Sequence, residues 1–208
     1  MKDIIIVGAG HLGLDIYDLI KEINSVTPTW NIKGFLNDFP VDLKDYCINE
    51  KIIGTIKEWV PSENEHFVMA IGSPMGKEKV SKHLKDKGAV FETLISPFAR
   101  VSDSAVIEEG AVIMGRSNIG QCVKIGKFVV VGDTTISLHS IVGDYSNTAS
   151  YVNIYRDINI GKRVQIWSHA VILKAVEDDA VVGAGSVVVS KVKAGTKVMG
   201  NPAKKISL

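Results

Sequence analysis

Two patterns of apolar and polar positions divide the chain. Over residues 1–95, short apolar runs bounded by glycine alternate with amphipathic segments: "DIIIVG", "LGLDIYDLIKEIN", "IKGFLND", "HFVMAIG", "KEKVSKHLKDKG" and "FETLI". Strand-like runs separated by helix-period segments predict a small α/β unit with a mostly parallel sheet of three to four strands. From Val101 the helical period disappears and an aliphatic residue returns every sixth position: Val101, Ile107, Ile113, Ile119, Ile125 and Val131. A second run keeps the same step through Val142, Thr148, Ile154, Ile160, Ile166 and Ile172. Four places after each stands a small or β-branched residue, as at Ala105, Ser117, Thr135, Ser146 and Ala170. A hexad of this kind is a solenoid signature: each unit is one short strand and a turn, and only stacked coils bury the aliphatic column. Residues 96–208 are therefore expected to form a parallel β-helix.

The period breaks twice. Val131 to Val142 is 11 residues, one short of two hexads, and Ile172 to Val182 is 10, two short. Shortened steps belong at corners. Counting hexads forward from Val131 makes Ser137 an inward residue, with His139 two places later; anchoring instead on Gly143 puts Leu138 at that step.

Charge and composition narrow the chemistry. Twenty-four basic residues against 23 acidic ones give a formal net charge of +1, which is no footprint for nucleic acid or an anionic membrane. Two cysteines, Cys47 and Cys122, form neither a disulfide framework nor a metal-type spacing. No apolar run reaches the roughly 18 residues of a membrane span, and a cytoplasmic location is expected. Gly8, Gly10 and Gly13 spell G-x-G-x-x-G between an apolar run and a helical pattern. The α/β unit is too short for a full dinucleotide fold, so these glycines either cradle a nucleotide diphosphate or only let helix and strand pack closely.

With these residues in view, the chain resembles the hexapeptide-repeat acyltransferases, in their two-domain bacterial branch of nucleotide-aminosugar N-acetyltransferases and sialic acid O-acetyltransferases. "IIIVGAGHLG", "FLND" and "AIGSP" carry the likeness in the first half; "LISPFARVSDSAVIEEGAVIM", "VGDYS" and "VVGAGSVVVSKVKAGTKVMGNPAKKI" carry it in the second. The resemblance implies a half-Rossmann nucleotide-sugar-binding domain at 1–95 and a left-handed parallel β-helix acyltransferase domain at 96–208. It implies acetyl-CoA as co-substrate, a nucleotide-linked (UDP-type) amino sugar as acceptor, a homotrimer with sites between neighbouring chains, and no metal. A sugar hydroxyl as acceptor, or a non-catalytic binding protein, are the alternatives.

Residue by residue, the acceptor contacts it implies are Gly10, His11, Leu12, Asn37, Asp38 and Gly72, with Asn37 standing where an acidic residue is usual. His139 takes the catalytic step two places after an inward residue, and Ser140 stands where the family has an acid. The stretch from His139 to Gly143 is one residue shorter than the family's, which places the missing residue after His139. The implied coenzyme A contacts are Asn147, Ser168 and Ala184. Trp167, beside Ser168, lines the groove or covers a face of the prism. Of the other histidines, His66 and His83 read as surface residues, and His169 as groove wall or surface.

Overall fold

The computed structural model describes residues 1–207, apart from the Asp45 side chain. It divides into two compact units, Met1–Pro97 and Phe98–Leu208.

In the first unit, β1 (Lys2–Val7), β2 (Trp30–Leu36), β3 (Ile52–Gly54), β4 (Glu65–Met69) and β5 (Val90–Phe91) form one parallel sheet in the order β3-β2-β1-β4-β5. This is one strand more than the pattern predicts. The addition is β3, three residues whose short run in "KIIGT" is too brief to show a period. Helices α1 (His11–Val26) and α2 (Pro74–Lys85) follow β1 and β4. Ile4, Ile5, Ile6 and Val7 are all fully buried, as are Phe35, Leu36, Phe67 and Val68, so successive residues on both faces of the central strands are covered. That is why these strands read as continuous apolar runs rather than alternating ones.

The second unit is a triangular prism of two-residue strands in three parallel ladders. The first carries Val101, Ile119, Ile136, Ile154, Ile172 and Val188; the second Ile107, Ile125, Val142 and Ile160; the third Ile113, Val131, Thr148, Ile166, Val182 and Val198. Each coil visits the three ladders in that order. Among the described residues their inward side chains form one continuous buried column.

The column fixes where the chain is short. Ile119 pairs with Ile136, 17 residues on, where Val101 to Ile119 is 18. The missing residue lies in the corner at 132–134, before His139 rather than after it. Ile136 is the inward residue, fully buried, and Ser137 faces outward, which corrects the count from Val131. His139 therefore stands three places after an inward residue, and Leu138 stands two. Thr134 takes the buried corner place expected of Thr135. The second shortening falls at 173–175, where the next inward residue is Val176, bridged to Ile160 and Val192.

Buried hydroxyls and capping carboxylates join coil to coil. Ser140 Oγ donates to the Tyr155 carbonyl at 2.7 Å and accepts from Ile158 N at 3.2 Å; Ser146 Oγ does the same with Gly161 O and Val164 N. Asp144 Oδ1 accepts from Lys127 N and Asp178 Oδ1 from Lys162 N. A Cβ on Gly126 or Gly161 would collide with those same carboxylates, so glycine is required for the cap to reach across. Corner residues adopt left-handed backbone, His139 (φ 58°) among them, together with Cys122, Phe128, Tyr145, Tyr151, Asp157, Arg163, His169 and Asp179. The conformation is a property of the prism corner, and His139 shares it with residues of every type.

The register makes a direct test. Ile136→Ala empties a fully buried site and is expected to cost about 2–5 kcal/mol in urea unfolding, while Ser137→Ala, on the outer face, stays within about 0.5 kcal/mol of the parent. The opposite ranking would restore Ser137 to the column.

Candidate functional site

The residues singled out in the first unit gather at one edge of its sheet. Val7 pairs with Leu36 on one side and Met69 on the other, so the chain leaves β1, β2 and β4 at the same carboxyl edge. Gly10–His11–Leu12, Asn37–Asp38 and Gly72 follow those three strand ends. Here β1 continues through α1 to β2 on one side while β4 lies on the other; such a switch of direction is where open α/β sheets bind ligands.

The three loop glycines differ in purpose. Gly8 has φ +113°, and a Cβ there would sit 2.9 Å from the Ala70 carbonyl; a Cβ on Gly13 would lie 2.3 Å from the Gly8 carbonyl. Both are needed for helix and strand to close on each other. Gly10 is different: φ is −83°, nothing lies within 4 Å of its missing Cβ, and it caps α1 without any side-chain acceptor. It leaves open space in front of a helix N-terminus, the place that favours an anion. His11 is exposed and Leu12 half-buried beside it.

Asn37 is committed internally. Its Oδ1 accepts from Ala9 N at 3.2 Å and its Nδ2 donates to the Phe39 carbonyl at 2.6 Å, so it ties the glycine loop to the turn after β2. Its neighbour Asp38 is exposed, with Oδ1 accepting from Lys57 N at 3.2 Å. The carboxylate is thus the freer of the two groups. Ser73 caps α2 by accepting from Gly76 N at 3.3 Å. One turn on, Lys77 is fully buried, and desolvation pushes its amine down to about 7.

In the prism the candidate residues occupy two different corners. His139 lies between the first and second ladders, its ring 56% exposed, with Nδ1 3.5 Å from Asp157 Oδ1. Ser168 and Ala184 lie between the third and first ladders on successive coils, where Gly185 N donates to the Ser168 carbonyl at 2.9 Å. Asn147 stands on the outer row of the third ladder, paired with Gln165. One chain therefore does not bring His139 to Ser168 and Ala184. Trp167 is 51% exposed on the outer side of the third ladder, and so lies on a face rather than within the prism. His169 stacks on Tyr151, ring centroids 5.0 Å apart. The Asp157 pairing is invisible in sequence because the partners are a whole coil apart; the 18-residue coil step was the only available signal.

Comparison with known proteins bears on both units. Residues 3–84 match the family model described as the PglD N-terminal domain. No relative among curated protein sequences matches the chain. Among solved structures, the acetyltransferase domain of PglB from Neisseria gonorrhoeae FA1090 is 23% identical over 99% of this chain and 100% of that one, with TM-score 0.88. PerB from Caulobacter crescentus, solved with CoA and GDP-perosamine, is 19% identical over 100% of this chain and 98% of its own, with TM-score 0.88. WeeI from Acinetobacter baumannii AYE is 22% identical over 99% and 100%, with TM-score 0.79. The fold is accordingly a half-Rossmann unit followed by a left-handed parallel β-helix, as the resemblance implies.

Within the first unit, substitution separates the packing glycines from the one that faces open space. Gly13→Ala is expected to lose about 1–3 kcal/mol of stability, because the backbone must move to admit the methyl group. Gly10→Ala should cost less than about 1 kcal/mol. Chemical denaturation of both variants checks this, and an equal loss at Gly10 would make it a packing glycine too.

Proposed function

We propose that the protein is an acetyl-CoA-dependent acetyltransferase that N-acetylates a nucleotide-linked amino sugar in bacterial glycan biosynthesis. The supporting observation is the full-length likeness in fold, both units in the same order, to a structure solved with CoA and GDP-perosamine. The glycine loop and Asp38 hold the diphosphate and ribose of the acceptor, which makes 1–95 the nucleotide-sugar domain and 96–208 the acyltransferase domain. Gly10, His11, Leu12 and Gly72 face the acceptor, and Asn37 shapes its loop. A UDP-sugar and a cytoplasmic location complete this reading. Among the described residues no helix is long and apolar enough to cross a membrane.

Coenzyme A lies along Asn147, Ser168 and Ala184. His139 stands at another corner, so on this reading each site is completed between two neighbouring chains, one supplying the coenzyme groove and the other the histidine. The homotrimer that the resemblance implies provides such neighbours.

His139 is the base on chemical grounds, since position no longer singles it out. Both repeat-domain histidines are exposed, but His169 stacks on Tyr151, whereas His139 lies beside a carboxylate. Imidazole suits proton abstraction near neutral pH. The acceptor nitrogen attacks the thioester carbonyl carbon while Nε2 takes its proton. The C–S bond then breaks, and the imidazolium returns the proton to the thiolate. A second reading has its own observation: Leu138 occupies the step two places after the inward residue, and on that reading the prism binds its ligands without transferring acetyl groups.

Release of free thiol from acetyl-CoA, measured across UDP- and GDP-linked amino sugars and free sialic acid, tests the proposal. Turnover with a nucleotide amino sugar is expected; turnover with sialic acid alone would make it an O-acetyltransferase. His139→Ala should lower kcat by at least about 100-fold, leave coenzyme A affinity unchanged, and give the same mass by light scattering as the parent, expected to be that of a trimer. Unchanged kcat in that variant, or activity gained only in Leu138→His, would displace His139 as base.

A further inference from the structure

We infer that Asp157 is the positioning residue for His139: its carboxylate takes the hydrogen on Nδ1, which leaves Nε2 bare and pointing away to accept a proton. The inference rests on the acetyltransferase reading for what that bare nitrogen does.

The pairing comes from the stacking of the prism. His139 and Asp157 hold the same place in successive coils, three residues after the inward Ile136 and Ile154, which are ladder partners. Both have left-handed backbone, φ 58° and 60°. Asp157 N donates to the Leu138 carbonyl at 3.0 Å, and His139 N donates to the Gln121 carbonyl at 3.0 Å, so the two Cα positions are clamped one above the other. The Nδ1 to Oδ1 distance between them is 3.5 Å.

Two sequence neighbours of His139 are engaged elsewhere, Asp144 and Ser140. Asp144, the next carboxylate along the chain, has Oδ1 on Lys127 N at 3.1 Å and Oδ2 on Lys162 Nζ at 3.0 Å. Ser140, where the resemblance implies an acid, is fully buried and bonded to Tyr155 O and Ile158 N, so its hydroxyl points into the prism. The shortened corner at 132–134 thus moves the histidine to a place where a sequence neighbour cannot orient it and the next coil can. A carboxylate on one ring nitrogen fixes the tautomer and the ring plane, and it stabilises the imidazolium formed when Nε2 takes the acceptor's proton.

Long-range proton–nitrogen NMR of the full-length protein, with the His139 signals assigned from their loss in His139→Gln, reads the tautomer directly at about pH 8, above the usual imidazole range. In the parent protein Nε2 should resonate as an unprotonated nitrogen. Asp157→Asn, an isosteric change at an exposed site, should move the ring toward the Nε2–H form. The same variant is expected to lower kcat about tenfold with the KM for acetyl-CoA unchanged, and Asp157→Glu should recover part of it. An Nε2–H ring in the parent, or a tautomer indifferent to Asp157→Asn, would overturn the pairing. Absence of acetyl transfer by the parent toward every acceptor tried would overturn the acetyltransferase reading instead, and the NMR result still decides the pairing.

Discussion

Burial of a single aliphatic column is the constraint from which the second unit follows. A two-residue strand can bury nothing alone, so each coil exists only because the residues at its three inward places, Ile or Val except for Thr148, meet those of the coils above and below. Each such side chain contributes about 1.5–3 kcal/mol when fully buried. Moving the chain by one residue would turn the whole set outward, so the column is kept and the corners absorb every irregularity. That is why the residue missing near position 133 leaves Ile119, Ile136 and Ile154 stacked.

The same constraint explains what the sequence showed and what it hid. Val101 to Val131 and Val142 to Ile172 were legible as a β-helix because apolar periodicity is the physical cause of the fold. The first unit was legible in β1, β2 and β4, whose double-sided burial writes continuous apolar runs, and illegible in β3, which is too short to carry a period. Across the break at 131–142 the count failed. Both Ile136 and Ser137 were acceptable in sequence, since serine fills several buried corner places, at Ser117, Ser140 and Ser146. Only the ladder pairing separates them, and the role of Leu138 and His139 turns on that one residue.

At the glycine loop the motif blurred two functions that geometry separates. Gly8 and Gly13 are demanded by contacts of 2.9 and 2.3 Å with backbone carbonyls, whereas Gly10 faces open space. Asn37, read as a ligand contact, spends both ends of its amide on the loops around it. The loop thus has a rigid frame of Gly8, Gly13 and Asn37, and an open edge of Gly10, His11 and Asp38.

In the prism, His139 and the Ser168–Ala184 corner lie on different edges, so on the proposed reading catalysis belongs to an assembly of chains. A crystal structure of the protein with coenzyme A tests this most directly. The account predicts three chains in parallel, the coenzyme running past Ser168 and Ala184 of one, and His139 of its neighbour facing the thiol end with Asp157 behind the ring. Coenzyme A bound with no histidine from any chain near its sulfur would contradict it.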